Sequence, residues 1–302
     1  MINKRELLPA QPPPPRPYRL PRDPVGTRPE GETPRGPIRL LWLVLVTLRF
    51  HLWRVLQLAV LVWVIYVVLV VLLAVVAVKA GLAVETEVLL LTHIVALFVG
   101  PLFAGVSLAL LLIVQGYAAS WREVVRPLLS LRLYAHVLAA DVPAVALGAV
   151  AWFGLKAAGV EAHLAEMLGE GPWATWLAGL PSAVVHPLVT LPFVFAALDA
   201  VTTRSPFWRS LARSLRFAVC HPALLVTYGL FLFAFSAVLR LGTAFGRTAE
   251  RPESALWFAV WLFGGLAAWL MGIAVMALLH PVYYRELVWR ERESAVAAAA
   301  SV

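Results

Sequence analysis

Charged residues are scarce in this sequence of 302 residues. Asp, Glu, Lys and Arg together make up 14% of it, whereas 61% is hydrophobic. A soluble globular domain is about a quarter charged and about half apolar, so this composition excludes an ordinary soluble domain. The net charge of +8 is then best matched to a membrane surface, and we expect no nucleic-acid partner.

Groups that carry catalytic or metal chemistry are also few. The single cysteine, Cys220, excludes an internal disulfide and a site built from several thiolates. None of the seven histidines lies three or four residues from another, which excludes a metal-binding pair on one helix. The sequence has no His-Glu-x-x-His, no Gly-x-Ser-x-Gly and no glycine-rich phosphate loop. We therefore expect no enzyme activity, no cofactor and no metal.

Long apolar runs are what the sequence has instead. Residues 55–78 contain no charged residue, and a helix of about 20 apolar residues crosses the ~30 Å hydrocarbon core of a bilayer. Unpaired backbone groups are costly in hydrocarbon, so such runs must be helical. We predict an all-α bundle of six membrane spans within residues 38–287, with the other five spans at 88–118, 133–155, 173–200, 217–239 and 255–284.

Basic residues are distributed unevenly between the predicted loops. Of the 25 Lys and Arg residues, 20 lie in the N-terminal segment, the second and fourth loops and the C-terminal tail, and five lie on the other side. An excess of this kind is typical of cytoplasmic segments. We therefore predict a multi-pass protein of the bacterial inner membrane with both termini in the cytoplasm.

Proline is concentrated at the N-terminus, where residues 1–37 hold 11 of the 22 prolines. This composition predicts a disordered cytoplasmic tail. The tail is either a solvated tether or a docking peptide for a proline-recognising partner. Residues 38–54 are apolar but interrupted by arginines, which predicts a segment along the cytoplasmic interface. Residues 288–302 are expected to form a short cytoplasmic tail.

Trp-Arg pairs mark the predicted cytoplasmic boundaries, as at Trp121-Arg122 and Trp208-Arg209. Indole prefers the headgroup level, and the neighbouring guanidinium reaches lipid phosphate. Basic residues of the two cytoplasmic linkers are therefore candidate contacts to anionic phospholipids: Arg122, Arg126, Arg132, Arg209, Arg213 and Arg216. They provide either generic anchoring or a specific site for an anionic lipid or phosphate.

The same two linkers belong to a partial internal repeat. Each linker lies between two predicted spans and both units run in the same direction, as in parallel transporter repeats, although inert scaffolds are also duplicated in this way. Prolines interrupt the second span at Pro101 and the fourth at Pro181, Pro187 and Pro192. These interruptions are either simple kinks or part of a broken-helix ligand site.

A few polar residues fall inside the predicted spans, namely Asp141, His136, His186 and His280. Ionisable groups in a membrane are costly and by default indicate function. Asp141 precedes Val142-Pro143, so it either caps a helix or carries protons or cations. His136 lies on a seam of small residues and is expected to hydrogen bond to another helix. Asp199 is expected to pair with Arg204 at the interface.

Residues 199–216, which read Asp-Ala-Val-Thr-Thr-Arg-Ser-Pro-Phe-Trp-Arg-Ser-Leu-Ala-Arg-Ser-Leu-Arg, resemble a linker of a broad bacterial group of six-helix membrane proteins. The group includes the YciC-like proteins and the membrane domain attached to some glycerophosphodiester phosphodiesterases. Residues 281–287 and 101–105 resemble the group as well. The resemblance covers residues 38–287 in layout and implies six helices with cytoplasmic termini. It implies little about activity, because most of the group has none assigned and no phosphodiesterase domain is present. The proline-rich tail departs from the group.

Two functions are compatible with these features. The first is a non-enzymatic scaffold or membrane-homeostasis protein that contacts anionic lipid, with a membrane-protein partner or a second copy of itself as a further possibility. The second is a small permease or channel built on the repeat, in which Asp141 and the intramembrane histidines line a path. We expect the first.

Overall fold

A computed structural model describes residues 23–29, 32, 34–79, 84–117, 119–170, 172–248 and 255–300. Every regular element in these residues is a helix, which confirms the all-α fold class. The α-helices in chain order are α1 (Pro37–Lys79), α2 (Val84–Val114), α3 (Trp121–Val125), α4 (Leu131–Ala157), α5 (Val160–Leu168), α6 (Pro172–Ala178), α7 (Leu180–Thr190), α8 (Ala196–Thr203), α9 (Phe207–Cys220), α10 (Pro222–Thr248) and α11 (Ala255–Ala300). Two short 3-10 helices lie at Arg126–Leu129 and Leu191–Phe193.

Several helices are long and apolar enough to cross a membrane. Within the described residues there are four such segments, Pro37–Val76, His93–Val114, Leu131–Ala157 and Trp176–Thr203. A fifth is added if α9 and the first half of α10, which meet at an angle of 98°, count as one span. The chain therefore has the composition and helix lengths of a membrane protein, and the number six stays a prediction.

Residues 38–54 were expected to lie along the membrane interface, apart from the first span. Instead they form one continuous helix, α1, with that span. It runs without a break for 43 residues, which is about 65 Å at 1.5 Å per residue. No glycine or proline follows Pro37 within it, so nothing in the sequence interrupts its hydrogen bonding. Leu40, Val44 and Leu48 are buried on one face, while Arg39 and Arg49 are exposed on another.

Helix α2 lies at the centre of the bundle, and its residues 108–112 are completely buried. It contacts α1, α4, α8 and α11. Gly105 lets α3 approach closely, because a Cβ at this position would lie 2.9 Å from Val124 Cα. Pro101 lies inside α2 without ending it.

The fourth predicted span is divided into α6, α7, a 3-10 turn and α8. Pro181 lies in the first turn of α7 and Pro192 in the first turn of the 3-10 helix, positions at which a missing amide donor is tolerated. The next α-helix, α8, begins at Ala196. The break follows the third of the three prolines predicted to interrupt this span.

The two cytoplasmic tails expected from composition are in contact with each other where the structure describes them. Helix α11 continues to Ala300, and residues 282–289 in it are buried. Trp289 Nε1 donates to Gly26 O at 3.0 Å, and Arg292 Nη1 is 2.7 Å from Asp23 Oδ2. The side chain of Val25 is buried in the core next to this helix, and its backbone carbonyl accepts a hydrogen bond from Gln115 Nε2. Residues 1–22, 30–31 and 33, which hold most of the prolines of the expected tail, lie outside the described residues.

Candidate functional site

An ion-pair network joins α8, α9 and α11 at the end of the bundle that also carries residues 23–29 and 34–36. Arg213 of α9 is 3.1 Å from Asp199 Oδ1 of α8 and 2.6 Å from Glu291 Oε2 of α11. Tyr284 Oη donates to Asp199 Oδ1 at 2.7 Å. The predicted pairing of Asp199 with Arg204 is therefore wrong. Arg204 ends α8 with φ of 54°, and α9 presents Arg213 to the carboxylate instead.

Local structure sets the position of Arg126 in the first linker. Ser120 and Glu123 form a capping box at the start of α3. The Ser120 backbone N–H donates to Glu123 Oε2 at 2.7 Å, and the Ser120 side chain in turn accepts from the backbone N–H of Glu123. The 3-10 turn Arg126–Leu129 follows, and Pro127 lies in its first turn, where the fixed φ of proline is favourable. Arg126 is thus held at the junction between α3 and this turn.

Arg126 and Arg204 line two adjoining cavities. The first, of about 480 Å³, is also lined by Arg213, Arg292 and Asp23. In it Arg213 and Arg292 are paired with carboxylates, as described above. No salt bridge is formed by Arg126 or Arg204 within the part of the chain that the structure describes. Arg126 Nη1 is buried and has no hydrogen-bond partner there.

The second cavity, of about 460 Å³, combines the same two arginines with apolar side chains. Its lining adds Arg132 and His136 and, on the apolar side, Leu129, Leu133 and Pro206. Leu129 is 74% exposed. Two cavities that share a pair of guanidinium groups and extend onto exposed leucines can hold an anionic group next to an apolar chain.

The charge on Arg126 is poorly compensated. Burial lowers its pKa below the ordinary value, and the positive charge of Arg204 lowers it further, while Glu123 partly opposes both effects. A negatively charged group between the two guanidinium groups would remove this repulsion. Their arrangement therefore favours an anion.

The six arginines predicted to contact lipid separate into three groups. Arg126 and Arg132 reach the cavities, Arg213 belongs to the ion-pair network, and Arg122, Arg209 and Arg216 are exposed at the surface. Arg204 was predicted only as a partner of Asp199. Arg204 has a positive φ, which is uncommon for a residue other than glycine, and nothing in the sequence predicts this backbone conformation.

The polar residues predicted inside the spans have different environments. Asp141 lies in the interior of α4, so it is not a helix cap. His136 lies edge-on to Trp208 with ring centroids 6.4 Å apart. His280 Nδ1 and Tyr228 Oη are 3.0 Å apart. The side chain of His186 lies outside the described part.

Asp141 and His280 line one cavity of about 370 Å³ in the middle of the bundle, and α1, α2, α4, α8 and α11 all contribute to its wall. The break in the fourth span is next to it, because Val194 follows the 3-10 turn and also lines the cavity. Within the described residues no group of three or more His, Cys, Asp and Glu side chains could hold a metal ion.

Comparison of the chain with protein-family models, with curated proteins and with solved structures finds no match in any of the three.

Proposed function

We propose that this protein is a non-enzymatic integral membrane protein that binds the phosphate group of an anionic phospholipid at its cytoplasmic face, in a scaffold or membrane-homeostasis role. One observation carries the proposal. Arg126 and Arg204 line two adjoining cavities and form no salt bridge within the described residues. Arginine guanidinium is the side chain best suited to a phosphate, because its planar donors match the oxygens in pairs.

The apolar side chains beside the arginines support a lipid over a free anion. Leu129 and Leu133 line the second cavity, and Leu128 and Leu131 next to them are exposed. A soluble phosphate would leave these leucines in water, whereas a phospholipid would cover them with its acyl chain. The site thus fits a headgroup at the arginines and a chain along the leucines.

The distribution of basic residues supports the cytoplasmic placement. The arginine-rich linkers, residues 23–29 and 34–36, and the end of α11 meet at one end of the bundle, and these are the segments that hold the excess of Lys and Arg. The cytoplasmic leaflet is negatively charged and attracts such segments. Reporter fusions at Trp208 should read cytoplasmic and those at Glu166 external.

Lipid retention tests the proposal. In native mass spectrometry, the full chain should retain phosphatidylglycerol, and Arg126→Gln with Arg204→Gln should lose about a hundredfold of this retention, because each guanidinium that hydrogen bonds directly to a phosphate contributes about 1.5 kcal/mol or more. Arg122→Gln with Arg209→Gln is the matched control, since it removes the same charge from exposed positions outside both cavities. Equal loss in both double variants would reduce the arginines to generic anchors. Displacement of the lipid by millimolar inorganic phosphate would point to a free anion.

A small permease is the second candidate, and the cavity that holds Asp141 and His280 is the observation that favours it. Proton or cation flux in proteoliposomes should then depend on Asp141 and be lost in Asp141→Asn. Flux that is absent, or that persists in this variant, contradicts the permease.

A further inference from the structure

The wall of the central cavity contains an aromatic cluster. Trp63 and Tyr66 of α1 have ring centroids 5.6 Å apart, and Phe103 of α2 lies 6.3 Å from each of them. All three rings line the cavity. Aromatic faces carry partial negative charge, so a wall of this kind attracts a cation without requiring hydrogen bonds.

The same cavity contains an uncompensated carboxylate. Asp141 lies about 13 Å along α4 from Arg132, at 1.5 Å per residue, inside the segment Leu131–Ala157, which is long and apolar enough to cross a membrane. Within the described residues no side chain donates a hydrogen bond to it and no cation pairs with it. Gly100 makes room for it, because a Cβ at this position would collide with its carboxylate. A lone carboxylate inside a membrane is costly unless it is protonated or a counter-charge joins it.

The other polar groups of the cavity do not supply that counter-charge. His280 is engaged by Tyr228 Oη and stacks on Phe195 with ring centroids 4.9 Å apart. Ser107 and Tyr66 contribute hydroxyl groups only. A cationic ligand would supply the counter-charge that the described lining lacks.

We propose that this cavity binds a small organic cation, an alkylated ammonium group, with its charge at Asp141 and its alkyl groups against Trp63, Tyr66 and Phe103. Quaternary ammonium groups are recognised by aromatic faces in this way. A volume of about 370 Å³ suits such a ligand. A calcium or magnesium ion fits poorly, because it requires about six oxygen ligands and the described lining offers one carboxylate.

This inference is separate from the lipid site and does not require that the cation crosses the membrane. Binding of a cation without flux supports it and contradicts the permease. The arginines of the lipid site lie outside this cavity, so Arg126→Gln with Arg204→Gln should leave cation binding unchanged.

Tritiated choline is the probe, and its neutral isostere 3,3-dimethylbutan-1-ol is the competitor, because the two differ only in a nitrogen in place of a carbon. The purified full chain in dodecyl maltoside should bind choline saturably. A tenfold excess of the isostere should not displace it. Asp141→Asn should weaken binding by about tenfold or more, and Trp63→Leu by about threefold to tenfold.

Matched controls separate the site from general effects on the protein. Asp23→Asn removes a carboxylate elsewhere, and Trp53→Leu removes an exposed indole, so both should bind choline as the unaltered chain does. Melting curves show whether each variant is folded. If Asp141→Asn or Trp63→Leu fails to fold, Asp141→Ser or Phe103→Leu takes its place. Absence of choline binding, equal binding of the isostere, or undiminished binding in folded Asp141→Asn would overturn the inference.

Discussion

Asp199 is the buried carboxylate on which the arginine-rich end of the bundle depends. Its side chain is 2% exposed. Tyr284 Oη and Arg213 Nη1 donate to its Oδ1, and Thr203 Oγ1 lies 3.5 Å from its Oδ2. A buried carboxylate without such donors would be strongly destabilising. These donors come from three helices, α8, α9 and α11, so the interaction also fixes how these helices pack.

Replacement of Asp199 tests this role. Asp199→Asn should lower the free energy of unfolding by about 3 kcal/mol, because a neutral amide replaces the buried carboxylate that accepts from both Tyr284 and Arg213, and Arg213 keeps only Glu291 as a charged partner. Equilibrium unfolding in mixed detergent micelles measures the change. Arg216→Gln is the control, since Arg216 is exposed and meets Glu291 only at 3.5 Å; it should change stability by less than about 0.5 kcal/mol. Equal stability of Asp199→Asn and the unaltered chain would refute the structural role.

At the scale of single residues, the sequence identified candidate arginines but not their partners. Arg126 and Arg132 were expected to contact lipid; both line the second cavity, and the lipid contact itself stays a prediction. Asp199 was given the wrong partner, because Arg204 is nearer in sequence while Arg213 is brought to it by the turn between α8 and α9. Tyr284 carried no signal, since a tyrosine at the end of a span is also typical of generic anchoring.

Among the elements, α2 and α3 approach each other through Gly105. Gly105→Ala should lower the free energy of unfolding by about 2 kcal/mol, because the added methyl group would collide with the backbone of Val124 and neither helix can yield without moving. Gly154→Ala in α4 is the control, since nothing lies within 4 Å of its Cβ position. That variant should be unchanged or slightly more stable, because alanine favours helix over glycine. Equal destabilisation of both variants would contradict the close approach.

The N-terminal segment 23–29 is held on α11 in part by a titratable contact between Asp23 and Arg292. Burial alone would raise the pKa of Asp23, but the hydrogen bond and charge of Arg292, with the backbone N–H groups of Val25 and Gly26, hold it below its ordinary value of 3.8. A lowered pKa means that the contact is fully formed above pH 3.8 and is lost as the pH falls through the lower value. The segment should therefore loosen in acid.

A spin label at Thr27→Cys in a Cys220→Ser background measures this release. The label should be immobile at pH 7 and become mobile as the pH falls below 3.8. Asp23→Asn should make it mobile at both pH values, whereas Glu161→Gln, in the distant helix α5, should not. Identical spectra at pH 7 and in acid would show that Asp23 does not hold the segment.

Helix type was predictable for these elements, but their ends and continuity were not. Apolar runs predicted helices over every described span, and the third proline of the fourth span marks its break. The apolar segment 38–54 was expected to lie along the interface because of its arginines. Its buried face of Leu40, Val44 and Leu48 instead packs as part of α1. Composition averaged over residues 1–37 could not reveal that Val25 and Arg28 meet α11.

At the scale of the whole molecule, the chain is a bundle of helices with the composition of a membrane protein and two separate candidate sites. One lies at the arginine-rich end, and the other lies between α1, α2, α4, α8 and α11. Both require segments far apart in the sequence to meet, so neither could be located from spacing alone. The resemblance to the six-helix bacterial group, the count of six spans and the absence of enzyme activity stay predictions.

The position of a bound lipid tests the central claim most directly. The measurement is a cryo-electron microscopy structure of the full chain, enlarged by a bound antibody fragment, in nanodiscs that contain phosphatidylglycerol. Our account predicts a headgroup phosphate within about 3 Å of the guanidinium groups of Arg126 and Arg204, with an acyl chain along Leu129 and Leu133. Ordered lipid at other positions, with no density between these two arginines, would contradict it.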